Sequence, residues 1–352
     1  MFPLGELEHF PVNWTNGMRV AEKDFEAADM AWIDALRDTR ATIFQGRQFG
    51  LLPPLRDSQD ESDYPKLIFE PAKQQLTLTE CRAITQGGHR IEITEDLHRN
   101  LQVPFKLPKV SIHKKEDFSV YITVNAFETK GAGPMSEDAP PRHQLAIPKY
   151  ELSILYDQEG VGLSNFNHLK IAEYKYRGTS LHLNEKFIPV SMTINSNPKL
   201  EERFNKVGSN LKSIHDNGIQ LVRDYRTDSR QDIQEAVAWI ERISLYIAAN
   251  IWTFNDQLIR QSPNATIIFF KNLAQYILSV SDIYRENIFL KTGVQSEYTY
   301  FKTLTDNIFN ANDLNMAFTR IDDALISIHM WLKSLRESFR QGRAIKVEEM
   351  PK

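Results

Sequence analysis

The chain has 352 residues, 41% of them hydrophobic, which supplies apolar material for two packed cores and argues against a disordered chain. Its net charge of −4 lacks the basic surplus of a nucleic-acid binder. A single cysteine, Cys81, excludes an internal disulfide framework, and no run approaches the roughly 20 apolar residues of a membrane-spanning helix.

The stretch Met1 to Glu6 has no basic patch followed by an apolar core, so it does not read as a secretory signal. With a lone cysteine suited to a reducing compartment, the expectation is a soluble cytoplasmic protein that reaches any membrane through partners.

Near the start stands Val12-Asn13-Trp14-Thr15-Asn16-Gly17-Met18. A helix follows over Ala21 to Gln45. Phe25, Ala28, Trp32, Leu36, Thr39 and Ile43 recur on one of its faces at helical spacing. Gly46, Gly50 and Pro53-Pro54 end it, and an acidic loop, Asp57 to Tyr64, comes next. Seven β-prone runs are then predicted: Leu67–Phe69, Gln75–Thr79, Arg90–Ile93, Val120–Phe127, Leu152–Tyr156, Leu169–Tyr176 and Leu181–Leu183. Gly87-Gly88 marks a turn between two of them, while Gly131 to Arg142, rich in Gly and Pro, reads as an exposed mobile loop. Many short strands with punctuating turns imply an antiparallel β-sandwich.

The hydrophobic period changes near Pro189 to Pro198, and the rest reads as helix. Asn197 suits a cap and Pro198 a first helical position, with Leu200, Phe204, Val207, Leu211, Ile214 and Gly218 following as a stripe. A second helix is expected from Asp228, with Gln231 in a capping-box position, until Pro263 breaks it. A third runs from Ala265 to Phe289, and a shorter piece from Glu297 to Phe309.

The last helix, Asp313 to Gln341, has the sharpest pattern. Leu314, Phe318, Ile321, Leu325, Ile328, Leu332, Leu335 and Phe339 alternate steps of four and three. That is the period of about 3.5 residues that marks a supercoiling seam, and Leu at a with Ile at d favours trimers or tetramers over dimers. The same pattern also fits a helix packed inside its own monomer's bundle, so both placements stand at this point. The fold class expected is α+β and multidomain: an opening helix with a β-sandwich over 1–190, a helical bundle over 191–343 and a tail over 344–352.

Chemistry is hard to place on this chain. The nine histidines do not cluster, there is no His-Glu-x-x-His, and Cys81 has no cysteine partner for zinc. Gly160-Val161-Gly162 lacks the third glycine of a dinucleotide loop. Ser209 and Lys212 form a Ser-x-x-Lys, and Lys291-Thr292-Gly293 matches the Lys-Thr-Gly of penicillin-recognising enzymes. No Ser-Asp-Asn stands between them, Lys291 to Gly293 reads as a helix stop, and Ser111 to Lys114 repeats the first pattern. A Ser-Lys hydrolase is thus the last of the readings. The expectation is a non-enzyme with no catalytic residue, metal or cofactor.

The opening run, then a helix with an early aromatic at Phe25, resembles the start of the TssK family, baseplate subunits of bacterial type VI secretion systems. That family typically opens with Val-x-Trp-Ser-Glu-Gly-Met/Leu-Phe-Leu and a helix carrying Pro-Gln-His-Phe-Gln. Trp14, Gly17, Met18 and Phe25 match; Thr15 and Asn16 replace Ser and Glu, and Ala21-Glu22-Lys23-Asp24 departs from Pro-Gln-His. Phe49-Gly50-Leu51 sits where the family has an aromatic-Gly element. Phe187-Ile188-Pro189 with Asn197-Pro198-Lys199-Leu200 resembles its strand-to-helix junction. Ser262-Pro263 before the third helix fits as well.

The resemblance implies a homotrimeric adaptor whose phage shoulder-like front domain contacts the wedge subunits TssF and TssG, at the cytoplasmic face of the inner membrane. Family members continue into a C-terminal head that meets the membrane complex, whereas this chain stops at Lys352, so that docking role is expected to be absent or met by another membrane-complex protein at the helical end. Direct membrane insertion is not expected. The wedge surface is expected around Trp14, Met18 and Phe25; the competing placement makes Trp14 and Phe25 core residues that staple the first helix to the sheets. The trimer seam would be the eight-residue stripe of the last helix. A phage-like tail adaptor or receptor-binding protein is the alternative.

Overall fold

The computed structural model describes residues 6–44, 48–55, 64–94, 103–107, 117–137, 139–156, 167–177, 180–283, 295–306 and 310–341. The acidic loop, the Lys291-Thr292-Gly293 element and the 344–352 tail lie wholly or almost wholly outside these residues. The chain divides into two compact units, one up to Pro198 and one from Lys199 onward.

Among the described residues, the first unit has α1 (Glu22–Phe44) followed by nine strands. β1 (Gly50–Leu51), β2 (Lys66–Glu70), β3 (Gln75–Ile84), β4 (Arg90–Ile93) and β5 (Val103–Lys106) form one sheet. All its pairs are antiparallel and all run through β3. β3 is long enough to hold β2 and β5 on its first half and β1 and β4 on its second. The alternation expected for Arg90 to Ile93 is present: Ile91 and Ile93 are buried, while Glu92 faces outward and accepts from Arg82 (2.7 Å) and Arg90.

β6 (Phe118–Met135), β7 (His143–Tyr156), β8 (His168–Arg177) and β9 (Ser180–Leu183) form a second antiparallel sheet in the order β7-β6-β8-β9. Val120, Ile122 and Val124, every second residue of β6, are buried. The sheets meet through side chains: the rings of Phe69 and Tyr174 lie 6.4 Å apart, and the Tyr150 hydroxyl accepts from the Glu92 N–H at 3.2 Å.

The expected loop at Gly131 to Arg142 is shortened: Gly131 to Met135 belongs to β6, and the described residues from Ser136 to Arg142 lie between the strands. Gly131, Ala132 and Met135 pair with Ala146, Leu145 and His143, so β6 and β7 run on as a two-stranded ribbon. Gly and Pro read as punctuation, yet backbone pairing needs no bulky side chain, and a register shift between Ala132 and Met135 absorbs Gly133 and Pro134. Sequence reading also misses β1, which is only two residues long, and β5, which carries Pro104.

After a 3-10 turn at Ile194–Ser196, the helices are α2 (Pro198–Tyr225), α3 (Gln231–Trp252), α4 (Pro263–Ile283), α5 (Gln295–Asp306) and α6 (Leu314–Arg340). α2 starts at proline, as its fixed φ favours, while the Asn197 amide donates to the Tyr64 carbonyl at 2.9 Å. The expected capping box at Asp228 is replaced. Its carboxylate takes the Arg230 N–H and guanidinium, and the cap position falls on Arg230. Past α3 the winding loosens into a π turn, Thr253–Gln257, and then tightens into a 3-10 turn, Leu258–Arg260. Pro263 is the first residue of α4 rather than a break before it. Aromatic contacts knit this unit: Trp239 to Trp331 at 4.7 Å, Phe204 stacked on Phe254 at 4.4 Å, and Tyr225 to Phe339 at 5.0 Å.

Candidate assembly surface

The segment before α1 is an extended arm ending in a turn. The Met18 N–H donates to the Thr15 carbonyl at 3.2 Å, and Gly17, third in this turn, takes φ +81°, where a β-carbon is disfavoured. That is the local reason for glycine in Trp-Thr-Asn-Gly-Met. The Asp24 carboxylate then accepts the Ala21 N–H at 2.8 Å, satisfying a donor at the start of α1.

The arm is pinned to α1 by one buried ion pair. Asp34, with no exposed surface, accepts the N–H groups of Glu8 (2.6 Å) and His9 (2.9 Å) on one oxygen. Its other oxygen accepts from Arg37 Nε at 2.6 Å, and Arg37 also donates to the Glu6 carbonyl at 3.0 Å. Burial alone pushes a carboxyl pKa upward; here the bonds from His9, Arg37 and Glu8 outweigh it and hold Asp34 below its ordinary value.

α1 is seated by the turn between β3 and β4. Gly88 takes φ +87°, and a Cβ there would stand 2.2 Å from the Arg37 carbonyl oxygen. Only glycine allows the helix backbone this close. The next residue, His89, lies between α1 and Phe127, whose ring is also 4.3 Å from that of His9. Burial, with the nearby Arg37 cation, pushes the His89 pKa down to about 4. The unfolded chain takes up this proton near 6.5. Between the two values the unfolded state binds more protons, so folding weakens as pH falls. We expect the His89 contribution to the stability of the first unit to be constant above pH 6.5 and to drop by about 3 kcal/mol towards pH 4. His89→Gln should flatten that slope in urea titrations at stepped pH, and an unchanged slope would remove His89 as its cause.

α1 buries the side opposite to its apolar stripe. Ala31, Asp34, Arg37 and Ala41 face inward, whereas Phe25, Trp32, Leu36 and Ile43 are 60%, 70%, 48% and 68% exposed. Trp14 is 51% exposed and its ring lies 6.3 Å from that of Phe25; Met18 is half-buried. The placement of Trp14 and Phe25 as a core staple is therefore corrected: both lie on the surface of the chain. Trp32, Leu36 and Ile43 extend that surface along the helix. Their spacing was visible in the sequence, but not their outward direction.

The stripe of α6 has the opposite fate. Leu314, Phe318, Ile321, Leu325, Ile328, Leu332, Leu335 and Phe339 are all buried within the single chain. Twelve of the 27 residues of α6 are buried, a face far wider than a two-helix seam. Asp322 is among them, accepting from Lys206 (2.7 Å) and Asn210 (3.2 Å) of α2. As a seam between copies the stripe is corrected, because its apolar surface is already covered by neighbouring helices.

Among the described residues, reactive groups do not converge. Cys81 is fully buried and its thiol pKa is pushed up to about 12 by burial, so it stays protonated. The Ser209 hydroxyl lies on an exposed helix face and donates to the Asn205 carbonyl at 3.0 Å. Among the described residues no group of His, Cys, Asp and Glu could hold a metal ion, and no helix is long and apolar enough to cross a membrane.

Two antiparallel sheets in one unit, helices in the other and a row of exposed large apolar side chains along α1 make up the described architecture. The chain shares the fold of TssK. A TssK crystal structure matches with a TM-score of 0.56 at 14% identity, covering 91% of this chain and 69% of that one. A TssK chain in the cryo-electron microscopy structure of a type VI secretion TssK-TssF-TssG baseplate subcomplex matches at 0.54 and 12% identity, over 93% of this chain and 100% of that one. A chain of the type VI secretion baseplate complex matches at 0.55 and 12% identity, over 90% and 99%. No protein-family profile and no curated protein sequence matches the chain.

Proposed function

We propose that this chain is a structural component of a type VI secretion baseplate, an adaptor that binds the wedge subunits TssF and TssG. The observation that carries this reading is the shared fold over 93% of the chain with a TssK chain from a TssK-TssF-TssG subcomplex. In this reading residues 1–190 are a phage shoulder-like sandwich that docks on the wedge, 191–343 a bundle through which three copies associate, and 344–352 a tail. Trp14, Met18 and Phe25 belong to the docking surface. The uncovered aromatics support it, since large exposed apolar patches on a folded chain mark interaction sites. Three linked copies would turn weak single contacts into firm attachment through effective concentration. Because the α6 stripe is covered, association between copies would use outer faces of the bundle, where Leu245, Trp252, Ile326 and Met330 are exposed. The protein would act without catalysis or cofactor, at the cytoplasmic face of the inner membrane through its partners.

Co-expression with TssF and TssG wedge subunits tests this. The expected result is a stable complex by size-exclusion chromatography with light scattering. Subunits that elute apart from a folded chain would overturn the reading.

A further inference from the structure

α1 presents three parallel strips to solvent. The central one is Phe25, Trp32, Leu36 and Ile43, spaced seven, four and seven residues apart. Along one flank lie the exposed carboxylates Glu22, Glu26 and Asp29, none of which is held in an ion pair among the described residues. Along the other lie the small residues Ala28, Ala35 and Thr39. Small side chains on one flank let a second backbone approach closely, while the acidic flank asks for cations.

From this geometry we infer that α1 seats an amphipathic helix of a wedge partner, with an apolar stripe against Phe25, Trp32, Leu36 and Ile43 and Lys or Arg along the edge facing Glu22, Glu26 and Asp29. This rests on the baseplate reading and adds the chemistry of the partner segment. Charge decides the occupant. A parallel contact between α1 helices of two copies would set the same carboxylates level with one another. An antiparallel contact would set them against the second half of the helix, where Thr39, Thr42 and Ile43 are exposed. The cations there are engaged elsewhere: Arg37 holds Asp34, and half-buried Arg40 donates to the Gly88 carbonyl. Lys23 lies on the far side of α1 from the stripe. Among the described residues, the α1 face of a second copy therefore offers no answering charge, and a basic-edged helix does. Helix-in-groove recognition of this kind reads anchors at helical spacing, and charge at the edge selects the partner.

The test uses the full chain and two labelled synthetic helices with the same leucine stripe, one edged with Lys and one with Glu. Fluorescence anisotropy at low salt should show the Lys-edged helix binding at least about tenfold tighter, with the gap closing as salt rises. Glu26→Lys with Asp29→Lys should reverse the preference. Trp32→Ala, a change at an exposed site, should weaken both probes by about tenfold or more with an unchanged unfolding midpoint. Equal affinity for the two helices, no binding, or Trp32→Ala binding like the parent would overturn the proposal. So would a loss of particle mass in light scattering for Trp32→Glu, which would make a second copy the occupant. Wedge subunits captured equally by parent and Trp32→Ala would sink this proposal and leave the baseplate reading intact. A clear Lys preference with no capture of wedge subunits would overturn the baseplate reading and the wedge origin of the helix, and leave only the basic-edged chemistry of the docking segment.

Discussion

Asp34→Ala is expected to cost the first unit roughly 3–5 kcal/mol, because it leaves the Arg37 guanidinium buried without its counter-charge. Arg37 is only 5% exposed, so water cannot replace the lost partner without the helix moving. The same change strands the N–H groups of Glu8 and His9, which both end on the Asp34 carboxylate. The arm should then detach before the sheets unfold, since among its described backbone groups these two N–H groups and the Glu6 carbonyl reach the Asp34–Arg37 pair. Urea unfolding gives the global loss, and amide exchange at residues 6–20 gives the local one. Arg37→Ala should be nearly as damaging, while the double variant should lose clearly less than the sum, because removing both charges leaves neither unpaired. A double variant at the full sum, or an arm that stays protected in Asp34→Ala, would show that the pair does not hold the arm.

This clamp explains why α1 is easy to detect and hard to orient from sequence. Its period is plain, and amphipathic logic places the apolar stripe inward. The inward side is instead made by Ala31, Ala41 and a neutralised ion pair, which together look polar in a hydropathy pattern. The deciding information is non-local: the arm that supplies N–H groups to Asp34, and a glycine turn that touches the helix backbone. Strands with alternating burial, such as β4, were legible for the opposite reason, since their pattern and their packing are one local property. The ribbon of β6 and β7 was not, because its pairing is held by backbone groups that composition does not reveal. The opening aromatic motif was legible as a surface candidate through resemblance, whereas its continuation through Trp32 to Ile43 needed the structure.

The α6 stripe poses the matching problem, and its resolution makes a sharp prediction. A run of fours and threes says that a helix faces other helices; it does not say whose. Because all eight stripe residues are buried inside the chain, Leu325→Asp with Leu332→Asp should unfold the helical unit rather than release folded monomers. Each change removes about 1.5–3 kcal/mol of burial and adds a charge or a raised-pKa acid to an apolar core. Two together exceed or rival the roughly 5–15 kcal/mol that holds a typical domain. Ile326→Asp with Met330→Asp, on the exposed side of the same helix, should leave the unfolding midpoint close to the parent. If this outer variant lowers particle mass in light scattering while its circular dichroism melt is unchanged, copies meet through the outer face of α6. The opposite pattern, a folded monomer from Leu325→Asp with Leu332→Asp and an intact assembly from the outer pair, would return the stripe to the interface between copies.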